Sequence, residues 1–250
     1  MHEIAGRRIP PEFTIEPYTD HCREICERGE HALIGVSPGN GYFNEQRLTA
    51  LLRWASSVFD EVDPVIPDAS LTHTYRALGW DPERVRISTQ RETRRLRRRI
   101  ARAWVAAEVP SYRHRVRVLS EFTEHPAYRS LLRRIEQVVA EKPRVRNVFR
   151  QASGLALASH LKGVEPSERQ LEVGMGYLIA ELPVCADTPA ILGVPSSVHI
   201  YHHMIPTMPL MFEELFASPG QAFAVVRPAD AAPPSAPEPG VTLPRPRTGG

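Results

Sequence analysis

The chain has 250 residues, which suits one domain with a full hydrophobic core or at most two small ones. Its 42% hydrophobic and 24% charged residues are ordinary for a soluble globular protein, and no run approaches the roughly 18–20 apolar residues of a membrane span. Net charge is only +2, yet positive charge is concentrated between Arg91 and Arg150, nearly all of it arginine, a local basic field that points to a polyanionic partner.

The opening residues contain no apolar segment of the secretory type, so a cytoplasmic location is expected. Three cysteines, Cys22, Cys26 and Cys185, are too few and too odd in number for a disulfide framework. Cys22 and Cys26 share a helix face, but no second pair completes a metal site.

In chain order, residues 1–18 read as extended and Pro-containing, and Asp20 to Glu30 as a short helix with Thr19 or Asp20 as its N-cap. Ala32 to Val36 is a short apolar run bounded by a turn, the pattern of a buried strand. Asn44 caps an amphipathic helix running to Phe59. Val62 to Ile66 follows as a second strand, then a long helix from Pro82 to Ala107, and a third strand over Val116 to Leu119. Helices fill most of 127–160 and 167–181, strands follow at Ser197 to Tyr201 and Ala222 to Val226, and a helix covers 206–216 between them. Alternating strands and helices predict one α/β domain over residues 1–227, with a parallel, doubly wound, Rossmann-like sheet flanked by helices. The Pro/Ala/Gly-rich residues 228–250 read as a disordered tail.

Four segments carry chemistry. The first is the turn Gly35-Val36-Ser37-Pro38-Gly39-Asn40 at the carboxyl end of the first core strand, where ligands sit in open α/β sheets. Leu33, Gly35 and Ser37 share one strand face, Gly35 leaves room beside the serine, and Asn40 can brace the turn. The turn matches G-x-S-x-G formally. Yet the residue after the serine is Pro38, which has no N–H for an oxyanion hole, and only one strand is read before it, whereas the hydrolase elbow follows several.

The second is Tyr177 and Glu181, one helical turn apart among apolar residues. A partly buried carboxylate beside a phenol suits an α-ammonium group, or it braces the helix against a loop. The third is Ser197-Val198-His199-Ile200-Tyr201-His202-His203, which puts Ser197, His199 and Tyr201 on one strand face and His202 on the other. Neighbours on opposite faces do not share one metal ion easily. The fourth is a helical stripe of Arg91, Arg94, Arg95, Arg98 and Arg102, with Arg99 beside it and Glu92 as the only acid in the segment, a pattern suited to phosphate.

Taken together these residues resemble the tRNA-dependent cyclodipeptide synthases, over nearly the whole ordered chain. The resemblance rests on His31-Ala32-Leu33-Ile34-Gly35, the serine turn with Asn40 and Tyr42-Phe43, the arginine helix, Arg115-Val116-Arg117 with Leu119-Ser120-Glu121, Tyr177 with Glu181, and Pro195-Ser196-Ser197-Val198. Asn40 with Tyr201 and His202 is similar to the subfamily marked by Asn, Tyr and His. The family resembles in fold the catalytic domain of the class I aminoacyl-tRNA synthetases for Tyr and Trp, but this chain has neither an HIGH nor a KMSKS sequence.

The resemblance implies two aminoacyl-tRNAs as substrates, a ping-pong reaction through a seryl ester on Ser37, and no ATP or other cofactor. It implies Tyr177 and Glu181 on the ammonium group, Tyr201 as proton relay, and Asn40 and His202 as positioning groups. It assigns Leu33, Gly35, Val65, Leu119 and His199 to the pocket for the first amino acid. His199 stands where an aliphatic residue is more usual, which implies a polar, acidic or indole side chain in that substrate. Two rival readings predict different behaviour: a serine esterase using Ser37 with His202, and an RNA-binding module without catalysis. No heptad pattern or long apolar stripe demands a partner chain, so a monomer is expected.

Overall fold

The computed structural model describes residues 3–4, 6–8, 10–161, 164–215 and 217–230. The chain opens with a two-stranded antiparallel ribbon, β1 (Glu3–Ile4) with β2 (Arg7–Arg8). A first βαβ passage follows: β3 (Phe13–Pro17), α1 (Asp20–Arg28), β4 (His31–Gly35), α2 (Glu45–Val58) and β5 (Glu61–Ile66). Next come α3 (Asp68–Ala77), α4 (Pro82–Ala106), β6 (Arg117–Val118), α5 (Pro126–Glu141) and α6 (Pro143–Leu161). The last part is α7 (Glu168–Ala186), α8 (Thr188–Leu192), β7 (Ser197–Tyr201), α9 (Met208–Leu210) and β8 (Gln221–Pro228).

Local chemistry sets the helix starts. The Thr19 side chain accepts from Cys22 N, Asn44 from Arg47 N, and Ser167 forms a reciprocal capping box with Gln170. Six strands form one sheet in the order β3-β8-β7-β4-β5-β6, parallel except at β3–β8. β4 is apolar and buried at its centre because helices cover both faces of the sheet. On one face Ala32, Ile34, Val198 and Ile200 pack with residues of α1, α2 and α4, including Ile25, Leu52 and Trp104. On the other, Leu33, Leu119 and Val184 form one cluster, and Phe223 and Val225 join another with residues of α5, α6 and α7.

Several expectations need correction. The sheet is not wholly parallel: β3, read only as extended chain, pairs antiparallel with β8 from Phe13↔Pro228 to Pro17↔Ala224. β3 also precedes Ser37, so more than one strand comes before the serine turn. A ten-residue helix, α3, fills the interval between β5 and the arginine helix. The helix expected over 206–216 is only α9 followed by a π-turn from Met211 to Leu215. Helix α7 runs beyond residue 181 through Pro183 to Ala186. Pro228, assigned to the tail, is the last residue of β8, and the tail beyond Asp230 lies outside the described residues. Cys22 and Cys26 are buried core residues of α1.

Candidate active site

Ser37 stands just past the end of β4, where Val36 N still bonds Val65 O of the neighbouring strand. Asn40 closes the turn: its Oδ1 accepts from Tyr42 N at 2.9 Å and starts a 3-10 turn over Gly41–Phe43. Ser37 Oγ and Tyr201 Oη share a hydrogen bond of 2.8 Å, with either hydroxyl able to donate. Strand register produces this meeting. Leu33 pairs with His199 and Ile34 with Ile200, so the next pair along is Gly35 beside Tyr201. A Cβ at Gly35 would lie 3.2 Å from His199 Nε2 and 3.6 Å from Tyr201 Cδ2, so the glycine gives both rings their space.

Helix α7 brings the acid. Tyr177 and Glu181, one turn apart on α7, line the same cavity as Ser37. Burial pushes the Glu181 carboxyl up to about 7, against the lowering effect of the Tyr177 hydroxyl. Burial also raises the Tyr177 phenol, and the Glu181 charge adds to it. The Tyr201 phenol is raised by burial too, although Ser37, its hydrogen-bond partner, and Asn40 oppose the shift. A Cβ at Gly176 would come 2.2 Å from His73 Nδ1, so that glycine lets α3 lie close against α7.

These groups open into one cavity of about 740 Å³. Ser37, Asn40, Tyr177, Glu181 and Tyr201 line it, and so do all five residues expected at the first amino acid: Leu33, Gly35, Val65, Leu119 and His199. His202 does not. It turns to the opposite side, stacks on Tyr42 with ring centroids 4.0 Å apart, and meets Phe43 edge-on at 5.4 Å. Burial, with the charges of His203 and Arg227, brings the His202 imidazole down to about 4. A neutral ring packed behind Tyr201, at 4.4 Å between centroids, fits support of that tyrosine better than general-base work on Ser37, which disfavours the esterase reading.

Sequence reasoning missed part of the wall. Val184 and Cys185 line the cavity, and Val184 falls seven residues after Tyr177 on the same helix face, a spacing that was available to find it. Leu155 of α6 and His203 after β7 also line it, and no pattern in the chain marks them.

The arginine helix is less bare than its sequence suggests. Arg102 pairs with Glu45 at 2.7 Å, Arg97 with Glu121 at 3.4 Å, and Arg95 with Glu92 at 3.6 Å. Arg99 is half-buried and donates to Phe43 O at 2.8 Å, so it holds the serine turn's flank. Arg91, Arg94 and Arg98 stay exposed with no acidic partner among the described residues. Among those residues no cluster of three or more His, Cys, Asp or Glu could hold a metal, and no helix is long and apolar enough to cross a membrane.

The family model for cyclodipeptide synthases matches residues 13–228. This chain belongs to the cyclodipeptide synthase family. It is 36% identical to a cyclo(L-tyrosyl-L-tyrosyl) synthase of Mycobacterium tuberculosis, over 89% of this chain and 80% of that one. It is 35% identical to the cyclo(L-leucyl-L-phenylalanyl) synthase of Streptomyces noursei, over 92% and 98%. A solved Mycobacterium tuberculosis structure, described as relating cyclodipeptide synthetases to type I tRNA synthetases, superposes with a TM-score of 0.75 at 35% identity, over 90% and 99% of the two chains. The cyclodipeptide synthase of Candidatus Glomeribacter gigasporarum, solved bound to Phe-tRNAPhe, shares the fold with a TM-score of 0.53 at 14% identity, over 83% and 90%.

Proposed function

We propose that this synthase joins two aminoacyl groups, each delivered by a tRNA, through an ester on Ser37. The observation that carries this reading is one cavity holding a serine hydroxyl 2.8 Å from the Tyr201 phenol and, opposite it, the Tyr177–Glu181 pair. The Ser37 oxygen attacks the aminoacyl ester carbon, the bond to the tRNA ribose oxygen breaks, and that oxygen takes up the serine proton. Tyr201, hydrogen-bonded to Ser37, relays the proton, and Asn40 braces the turn that carries the serine. The Glu181 carboxylate and the Tyr177 oxygen face the α-ammonium group of the bound residue. The amine of a second aminoacyl-tRNA then attacks the seryl ester, which releases Ser37 and leaves a dipeptidyl-tRNA. Ser37 takes up the dipeptide from that tRNA, and its free amine closes the ring and frees the serine. Closure gains from enforced proximity. The energy arrives in the tRNA ester, so no ATP is called for. Exposed Arg91, Arg94 and Arg98 offer phosphate contacts on α4.

Intact-mass spectrometry of the protein mixed with aminoacyl-tRNAs tests this. We expect an aminoacyl adduct on Ser37 and a cyclic dipeptide in solution, both absent from Ser37→Ala. Product formation by Ser37→Ala at the native rate would sink the seryl intermediate. tRNA binding without product in either protein would favour the RNA-binding module.

A further inference from the structure

The floor of the cavity contains an unmet polar group. His199 lies in mid-strand on β7, beside Leu33 of β4, and is only 4% exposed. Its Nδ1 is buried with no hydrogen-bond partner. Its Nε2 reaches over Gly35 at the cavity wall, 3.2 Å from where a Cβ would stand, and meets no protein donor or acceptor among the described residues. Leu33, Val65, Leu119 and Val184 surround the space, all apolar. Burial brings the imidazole down to about 4, so the ring is neutral at physiological pH.

We propose that the first amino acid loaded on Ser37 carries a phenol or an indole, whose polar ring atom bonds Nε2 of His199. This rests on the reading of Ser37 as the nucleophile. Three observations select that chemistry. An aliphatic or phenyl side chain would seal Nε2 away from water with nothing to bond, and a site that leaves its own polar group unpaired discriminates strongly. Nε2 sits at the level of Gly35, two residues below Ser37, or roughly 6–7 Å of strand rise. A short hydroxyl or amide side chain ends before that depth, whereas a ring attached through one methylene spans it. A carboxylate side chain would share the cavity with Glu181, and no cation among the floor residues would receive it. The neutral imidazole serves either ring: with a bare Nε2 it accepts from a phenol O–H or indole N–H, and with a protonated Nε2 it donates to a phenol oxygen.

Loading of the full-length protein, followed by intact mass after quenching, tests this with tRNAs charged separately with Tyr, Trp, Phe, Leu and Glu. The expected result is acylation by Tyr or Trp at least tenfold faster than by Phe or Leu, with no adduct from Glu. His199→Leu should bring Phe and Leu up to the rate of Tyr and Trp or above it, and His199→Asn should keep part of the native preference. Native loading of Phe, Leu or Glu as fast as Tyr or Trp overturns the proposal. So does a preference that His199→Leu leaves unmoved. If His199→Leu fails to fold, the native rates and His199→Asn decide. An adduct from none of the charged tRNAs instead removes the seryl reading, and the proposal with it.

Discussion

Glu181 concentrates the conflict between stability and chemistry in one side chain. Its carboxyl is raised by burial from the ordinary range to about 7. The folded protein therefore binds a proton here more tightly than the unfolded chain. That contribution is full at low pH and is lost as pH rises through about 7. Glu181→Gln removes the ionisation, so at pH 8 the variant should be more stable by up to about 3 kcal/mol, at 1.36 kcal/mol per pKa unit, with almost no gain at pH 4. Thermal melts at the two pH values check this, and equal gains at both would show that burial of the charge is not the cause. Aminoacyl loading should be lost in the same variant, and the native loading rate should climb with pH through about 7, as the carboxylate forms. Tyr177 and Glu181 were legible because a four-residue spacing fixes two side chains to one helix face. Strand alternation likewise put His202 on the face opposite Tyr201, but its stack with Tyr42, 160 positions away in the sequence, was not legible.

At the level of elements, α4 shows what a sequence hides about charge. Its stripe was visible, but a carboxylate that neutralises part of it, Glu45 against Arg102, comes from another element, as does Glu121 against Arg97 beside the stripe. The arginines therefore divide into two kinds. Arg91→Ala with Arg98→Ala should weaken tRNA binding and lower the slope of log affinity against log salt by about one to two, leaving the melting temperature unchanged. Arg99→Ala should cost about 1.5–3 kcal/mol, through loss of a charged donor on Phe43 O, and lower the melting temperature. A binding titration over a salt series and a melt of each variant separate the two. α3 escaped sequence reading for a related reason. Of its buried positions, Ser70, Leu71, Thr74 and Ala77, only Leu71 is a large apolar residue, so they make no apolar stripe, and its seat depends on Gly176 of α7. β3 contains five residues and ends in proline, which an edge strand tolerates, and its partner lies at the other end of the chain.

Across the whole molecule, a polar row buried at Asp63, His31 and Ser197 crosses four strands. Arg117 Nε donates to Asp63 Oδ1 at 3.2 Å, Asp63 Oδ2 meets His31 Nε2 at 3.2 Å, and His31 Nδ1 meets Ser197 Oγ at 2.8 Å. Burial alone would raise the Asp63 carboxyl. The His31 hydrogen bond and charge, with Arg117 and Arg115, outweigh it and hold the group below the usual carboxylate range. Its stabilisation is therefore present above the ordinary carboxylate pKa and is lost as pH falls through the lowered value. Asp63→Asn should cost about 3–5 kcal/mol, because it strips one member from a buried charged row. Urea unfolding at pH 7 measures this, and a loss below 1 kcal/mol would show the row to be incidental. The alternating strands and helices, and so the parallel core, were readable from local pattern alone; the row and the antiparallel edge depend on partners far apart in the chain. The antiparallel edge also governs how the molecule is born. β8 lies between β3 and β7, and Phe13 finds its partner only at Pro228. On the ribosome the first long strand must wait, unpaired, for the last one to emerge, more than ten seconds at roughly 5–20 residues per second. During that wait the nascent sheet has an open slot rather than a finished border, and a chaperone has the most reason to attend it there.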